Sequence, residues 1–155
     1  MDHAIIEYFT EQQCSRQWKG FLRAFAGEFA TQLDEADLRA LMRRIGERFA
    51  QEAEVDLGNC RTLDDLQLAM GQVWVRLDWG WVELADRGDY LEVRHHCAPL
   101  IAAFGPEALR WSPGFLEGAY QAWFSSAHAG NLEVRQSAEP DLAGSIEFRL
   151  AQAGR

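Results

Sequence analysis

Positive charge is what this chain has least of. Its 155 residues carry one lysine, Lys19, and 15 basic side chains in all against 24 acidic ones, a net charge of -9. Phosphate backbones are bound through Lys and Arg that release counterions, and an excess of nine negative charges opposes such binding. Nucleic acid is therefore excluded as a partner. Cysteine is scarce as well: Cys14, Cys60 and Cys97 are odd in number and far apart. That is no disulfide framework, and a reducing cytoplasm is the simplest location. Apolar runs are short and broken by charge, and the opening MDHAIIEYFTEQQ has no basic stretch leading into an apolar one. Neither membrane insertion nor an export signal is expected. Four prolines, with no Pro-, Ser- or Gly-rich stretch and no internal repeat, leave no linker. The chain reads as one domain over residues 15–151 preceded by an N-terminal arm over 1–14.

Aromatic surface is what the chain has in excess. Six Trp, nine Phe and three Tyr exceed the needs of one small core, although 48% hydrophobic and 25% charged residues are ordinary for a globular domain. A domain of this length buries about two-thirds of its unfolded surface and needs no staple. The surplus rings require a second buried surface, either a subunit interface or a ligand groove. The interface is favoured, because no convergent polar set marks a pocket.

Hydrophobic periodicity places these rings. Ser15 caps a helix whose Trp18, Phe21, Leu22, Phe25 and Phe29 share one face, the spacing expected of a core stripe. Asp34 with Asp37 opens a second helix, with Leu38, Leu41, Met42, Ile45 and Phe49 inward and Arg39, Arg43, Arg44, Glu47 and Arg48 opposite. Thr62 and Asp65 form a capping box for a third, which carries Leu63, Leu66, Met70, Val73, Trp74 and Leu77. The period then drops to two. Trp79, Trp81 and Glu83 are expected on one strand face with Val82 and Leu84 on the other, residues 86–89 are turn chemistry, and 90–97 is the return strand. Residues 99–104 suggest a short helix. Ser112 as cap with Pro113 at the first helical position opens a fourth main helix through Phe115, Leu116, Ala119, Tyr120, Trp123 and Phe124. Segments 132–136 and 145–150 alternate as a second strand pair. The expected class is α+β, four main helices with an antiparallel sheet of about four strands in two hairpin-like pairs.

Catalytic signatures do not emerge from this pattern. No G-x-G-x-x-G, Walker A or G-x-S-x-G sequence occurs. Asp78, Glu83, Asp86 and Asp89 beside Trp79 and Trp81 could assemble a glycosidase carboxylate pair, but Asp-rich hairpin turns are ordinary. Arg87-Gly88-Asp89 reads as accidental in the same way. His95-His96-Cys97 offers metal-ligand types, yet strand neighbours point to opposite faces, so only His95 and Cys97 could converge, and no second pair completes a site. No catalytic residue, metal or cofactor is assigned.

Four strings carry a resemblance: Leu41-Met-Arg-Arg-Ile-Gly-Glu-Arg-Phe-Ala50; Cys60-Arg-Thr-Leu with Leu66-Gln-Leu-Ala-Met70; Asp78-Trp-Gly-Trp-Val-Glu-Leu84; and Trp111-Ser-Pro-Gly-Phe-Leu-Glu-Gly-Ala-Tyr-Gln-Ala-Trp123. In this order and spacing the chain resembles the D subunit of bacterial cellulose synthase across about residues 15–150. The resemblance implies a non-catalytic accessory protein that forms a ring-like homo-octamer, a tetramer of dimers, and organises synthase complexes so that glucan chains are exported and crystallise in order. It implies internal passageways with the arm near their walls, which maps onto His3, Glu7, Tyr8 and Phe9 as glucan-passage lining. A proline-rich companion protein and the cellulose synthase complex are the implied partners. Cytoplasm and periplasm are the implied locations, of which the expected lack of an export signal favours the first. Trp79, Trp81, Tyr90 and Trp111 are the expected oligomer-interface or partner contacts. The alternative, from a different class, is a small-molecule or metal-sensing domain related to vinyl reductase domains, with Cys60 and Cys97 as ligands.

Overall fold

The computed structural model describes residues 2–127, 130–141 and 143–154. Polar caps fix where the chain turns helical. The arm holds a helix, α1 (His3–Glu11), capped by Asp2. Ser15 accepts from the Gln17 amide to start α2 (Arg16–Gln32), Asp34 accepts from Asp37 N to start α3 (Glu35–Glu52), and the Thr62–Asp65 capping box starts α4 (Leu63–Arg76), all three as the sequence predicts. There follow β1 (Trp81–Asp86), β2 (Leu91–His96), α5 (Leu100–Phe104), a 3-10 turn (Pro106–Arg110), α6 (Gly114–Ser126), β3 (Leu132–Gln136) and β4 (Ile146–Gln152). The strands form one antiparallel sheet in the order β1-β2-β4-β3, so two hairpins join through β2 and β4. The α+β expectation holds.

Two local expectations are corrected. Ser112 does not cap α6: the helix starts at Gly114 with Pro113 in the cap position, and the Ser112 hydroxyl is buried without a partner among the described residues. Trp79 does not share a strand face with Trp81. Asp78 and Gly80 both take positive φ, at 57° and 76°, which turns the chain before β1 begins. Gly80 also passes so close to the His96 carbonyl that a Cβ there would overlap it.

α6 is the buried centre of the molecule, enclosed from Gly114 to Tyr120 between α3 and the sheet. α3 and α6 meet backbone to backbone. Gly46 and Gly118 face the carbonyls of Phe115 and Arg43, and a Cβ at either position would overlap the opposing oxygen. Trp74 from α4 fills the space beside them, with ring centroids 5.2 Å from Trp123 and 5.9 Å from Tyr120. Val93, Ile146, Phe148 and Val134 present the inner face of the sheet to this cluster.

Helix side chains bond the edge of β3 along its length and that of β1 at one point. On β3, Gln121 accepts from Val134 N at 2.8 Å and donates to Leu132 O at 3.0 Å, Arg43 donates to Val134 O at 3.3 Å, and Glu117 accepts from Gln136 N at 2.7 Å. On β1, Gln67 of α4 accepts from Leu84 N at 2.8 Å. Glu117 is itself buried and paired with Arg39 at 3.0 Å and Arg43 at 3.2 Å, so its charge is compensated where it is desolvated.

Candidate functional site

The first two helices gather most of the exposed apolar surface. Glu11 ties them together, accepting from Lys19 and from Arg23 Nη2 at 3.1 Å, and the Lys19 bond holds its carboxyl below the usual carboxylate range. Along α2, ring centroids run from Trp18 to Phe21 at 6.0 Å, on to Phe25 at 5.9 Å and to Phe29 at 4.5 Å. The core reading of this stripe is corrected: Trp18, Phe21 and Phe25 are 54, 59 and 47% exposed, and only Ala26 of α2 is buried. α2 packs chiefly on the short α5, which is too small to cover the whole stripe. Of the four residues expected to line a passage, His3, Glu7, Tyr8 and Phe9, all lie exposed on α1. Glu7 and Tyr8 border an open groove of about 730 Å³ with Ser15 and Lys19.

The residues expected at an interface divide. Trp111 is 8% exposed and packs 6.0 Å from Phe104, and Trp79 is half-buried, 5.8 Å from Trp74 and 5.1 Å from Phe115. Both rings are largely occupied inside the single chain. Trp81 and Tyr90 instead lie on the outer side of the sheet. Trp81 stacks on His96 at 5.0 Å, and Tyr90 sits beneath the Arg149 guanidinium at 4.3 Å.

His95, His96 and Cys97 separate by environment. His95 is fully buried; its Nε2–H donates to Trp79 O at 2.7 Å and its Nδ1 accepts from the Tyr120 hydroxyl at 2.6 Å. Burial pushes its pKa down to about 4 and raises that of Tyr120. The ring is a neutral structural bridge between sheet, α6 and the turn before β1. His96 faces outward between Glu83 and Ser145, and Cys97 leaves the strand at φ 57°. Burial raises the thiol pKa of both Cys60 and Cys97, which disfavours the thiolate a metal requires. Among the described residues no group of three or more His, Cys, Asp or Glu side chains is placed to hold a metal ion. Of the carboxylates weighed for sugar hydrolysis, Glu83 binds His96 and Asp86 accepts from Gly88 N in the hairpin turn.

Two features escape the sequence reading. Helix α1 is signalled by Asp2 as a cap and by the spacing of Ile5, Ile6 and Phe9. The charged outer face of the sheet is signalled by the alternation of Glu83, Glu92, Arg94, Glu147 and Arg149, visible only once strand partners are known.

No helix among the described residues is long and apolar enough to cross a membrane. Cellulose synthase operon protein D of Komagataeibacter xylinus is 27% identical over 108 residues, 68% of each chain, and that of Komagataeibacter sucrofermentans matches to the same extent. In fold, the chain resembles a trafficking protein particle complex subunit 3 from Naegleria fowleri, solved covalently bound to palmitic acid. The TM-score is 0.53 at 14% identity, covering 89% of this chain and 96% of that one, a likeness of architecture alone. The family model for the cellulose synthase D subunit matches residues 4–151, which takes in α1 as well as the domain that follows. The chain belongs to the cellulose synthase D-subunit family, and that membership gives it a role in cellulose synthesis.

Proposed function

We propose that this chain is a non-catalytic accessory protein that self-assembles into a ring-like homo-octamer, a tetramer of dimers, and organises cellulose synthase complexes for ordered glucan export. The observation that carries the reading is the aromatic face of α1 and α2. Ile5, Tyr8, Phe9, Trp18, Phe21 and Phe25 remain exposed in the single chain, and α1 has no buried residue at all. A nine-residue helix is marginal in water on its own, and α1 is held to the chain chiefly by Glu11 and a small contact with α5, which leaves its apolar side available to a partner surface. Each such side chain, already about half covered, contributes roughly 1 kcal/mol when the rest is buried. A second apolar patch lies on α4, where Leu68 and Val75 are exposed one heptad apart. One self-complementary patch closes a dimer, and a second on another element joins dimers into a ring.

In this reading residues 1–14 act as an assembly arm on the 15–151 domain. His3, Glu7, Tyr8 and Phe9 line the glucan passage, and exposed rings suit a proline-rich companion in polyproline II conformation. Three unpaired thiols support a reducing, cytoplasmic setting. Multi-angle light scattering on the purified chain is expected to give a mass near eight copies. A stable monomer at micromolar concentration would overturn the proposal.

A further inference from the structure

The outer face of the sheet is built from all four strands and faces away from α6. Strand registers set Trp81 beside His96, Glu83 beside Arg94, Arg94 beside Glu147, and Glu92 beside Arg149. Ion pairs run across it: Arg94 reaches Glu147 at 3.4 Å and Glu92 at 3.5 Å, and Arg149 reaches Glu147 at 3.3 Å. A polar outer face is ordinary for an antiparallel sheet. Its aromatic ends are not. At one end the Trp81 indole, 48% exposed, lies against the His96 ring with 25° between the planes. That imidazole is held at both nitrogens, by Ser145 Oγ at 2.7 Å and Glu83 Oε2 at 2.9 Å, so the indole is backed by a fixed surface. At the other end stands Tyr90 with Arg149 over its ring. Tyr90 and His96 are six residues apart, roughly 20 Å along a strand.

We propose that this face is a platform for an extended, neutral, polyhydroxylated chain, a β-linked glucan, with one sugar stacked on Trp81 and the chain running toward Tyr90. The identity of the glucan rests on the function proposed above; the chemical class rests on the face itself. A flat pyranose presents its C–H groups to an indole and its hydroxyls to the rim, where Glu83 offers an exposed carboxylate. Alternating carboxylates and guanidinium groups supply acceptors and donors in turn, and they stay hydrated or hydrogen-bonded beneath a hydroxylated ligand. A dry protein partner would have to desolvate those ion pairs. A polyanion would meet Glu83, Glu92 and Glu147 on a chain of net charge -9. Single contacts of this kind are weak, and several copies in one assembly multiply them.

The chain is run in native gels containing hydroxyethyl cellulose, a soluble neutral β-glucan, or alginate, an anionic polysaccharide. Wild type is expected to be retarded by the first and not by the second. Trp81→Ala and Tyr90→Ala are each expected to weaken the derived affinity about fivefold or more, while Glu54→Ala, at an exposed residue of the loop after α3, leaves it unchanged. Cellohexaose should also change the tryptophan emission of wild type and not that of Trp81→Phe, a variant that preserves a ring and the fold. Equal retardation of the Trp81→Ala Tyr90→Ala double variant, equal retardation in alginate, or no retardation of wild type overturns the platform. Light scattering on the same samples separates the two proposals: an octamer indifferent to β-glucan defeats this one alone, and a monomer that is retarded defeats the scaffold alone.

Discussion

At Gly46 the difference between a hydrogen and a methyl group decides whether α3 and α6 can meet, because the space a Cβ would take is held by the Phe115 carbonyl and the Ala119 amide, neither of which can rotate away. Gly46→Ala is expected to cost about 2 kcal/mol or more, read from the urea midpoint. Gly20→Ala on α2, where nothing lies within 4 Å, should stabilise by about 0.5–1 kcal/mol. His95 sets an acid limit. Its pKa is about 4 folded against 6.5 unfolded, so above pH 6.5 neither state is protonated there and stability is intact. As pH falls from 6.5 toward 4 the unfolded chain takes up a proton that the native ring refuses, and stability declines by on the order of 3 kcal/mol. Denaturant titrations across that window should show a slope in wild type that is smaller by about one proton in a His95→Gln variant that still folds. At this scale the sequence is partly legible: strand parity separates His95 from His96, whereas the turn that sends Trp79 inward depends on positive φ at Asp78, which composition does not announce.

The edge of β3 is a property of elements and not of one residue. Gln121 and Glu117, one turn apart on α6, and Arg43 on α3 stand where a fifth strand would pair. Gln121→Ala leaves Leu132 O and Val134 N without their Gln121 partner and is expected to cost about 2 kcal/mol. It should also raise thioflavin-positive aggregation on mild heating, since an unpaired edge is a template for other strands. Caps and periods make the elements themselves readable: Ser15, Asp34 and Thr62 all act as their sequence context implies. The stripe on α2 is readable as a face that water should not touch, yet amphipathicity does not say what covers it. Trp18, Phe21 and Phe25 have the spacing of a core without a core beside them.

Across the whole molecule, charge and apolar surface act in opposite directions on assembly. In the proposed assembly, copies that each carry -9 repel one another, and the exposed rings of α1 and α2 supply the attraction that must outweigh this. At about 1 M salt the Debye length falls to roughly 3 Å, which removes most of the repulsion and leaves the apolar attraction in place. Added NaCl is therefore expected to shift dissociation on dilution to lower protein concentration, measured by mass photometry; an assembly dissolved by salt would show that ion pairs hold it. The closed edge of β3 bears on what kind of assembly this is. With Leu132 O, Val134 N and O, and Gln136 N all met from within, that margin offers no open-ended valence, so strand addition along β3 is disfavoured and side-chain patches are left to carry the contacts between copies. A molecule of finite valence can sit beside a polymer that grows without limit and is not itself recruited into a fibre.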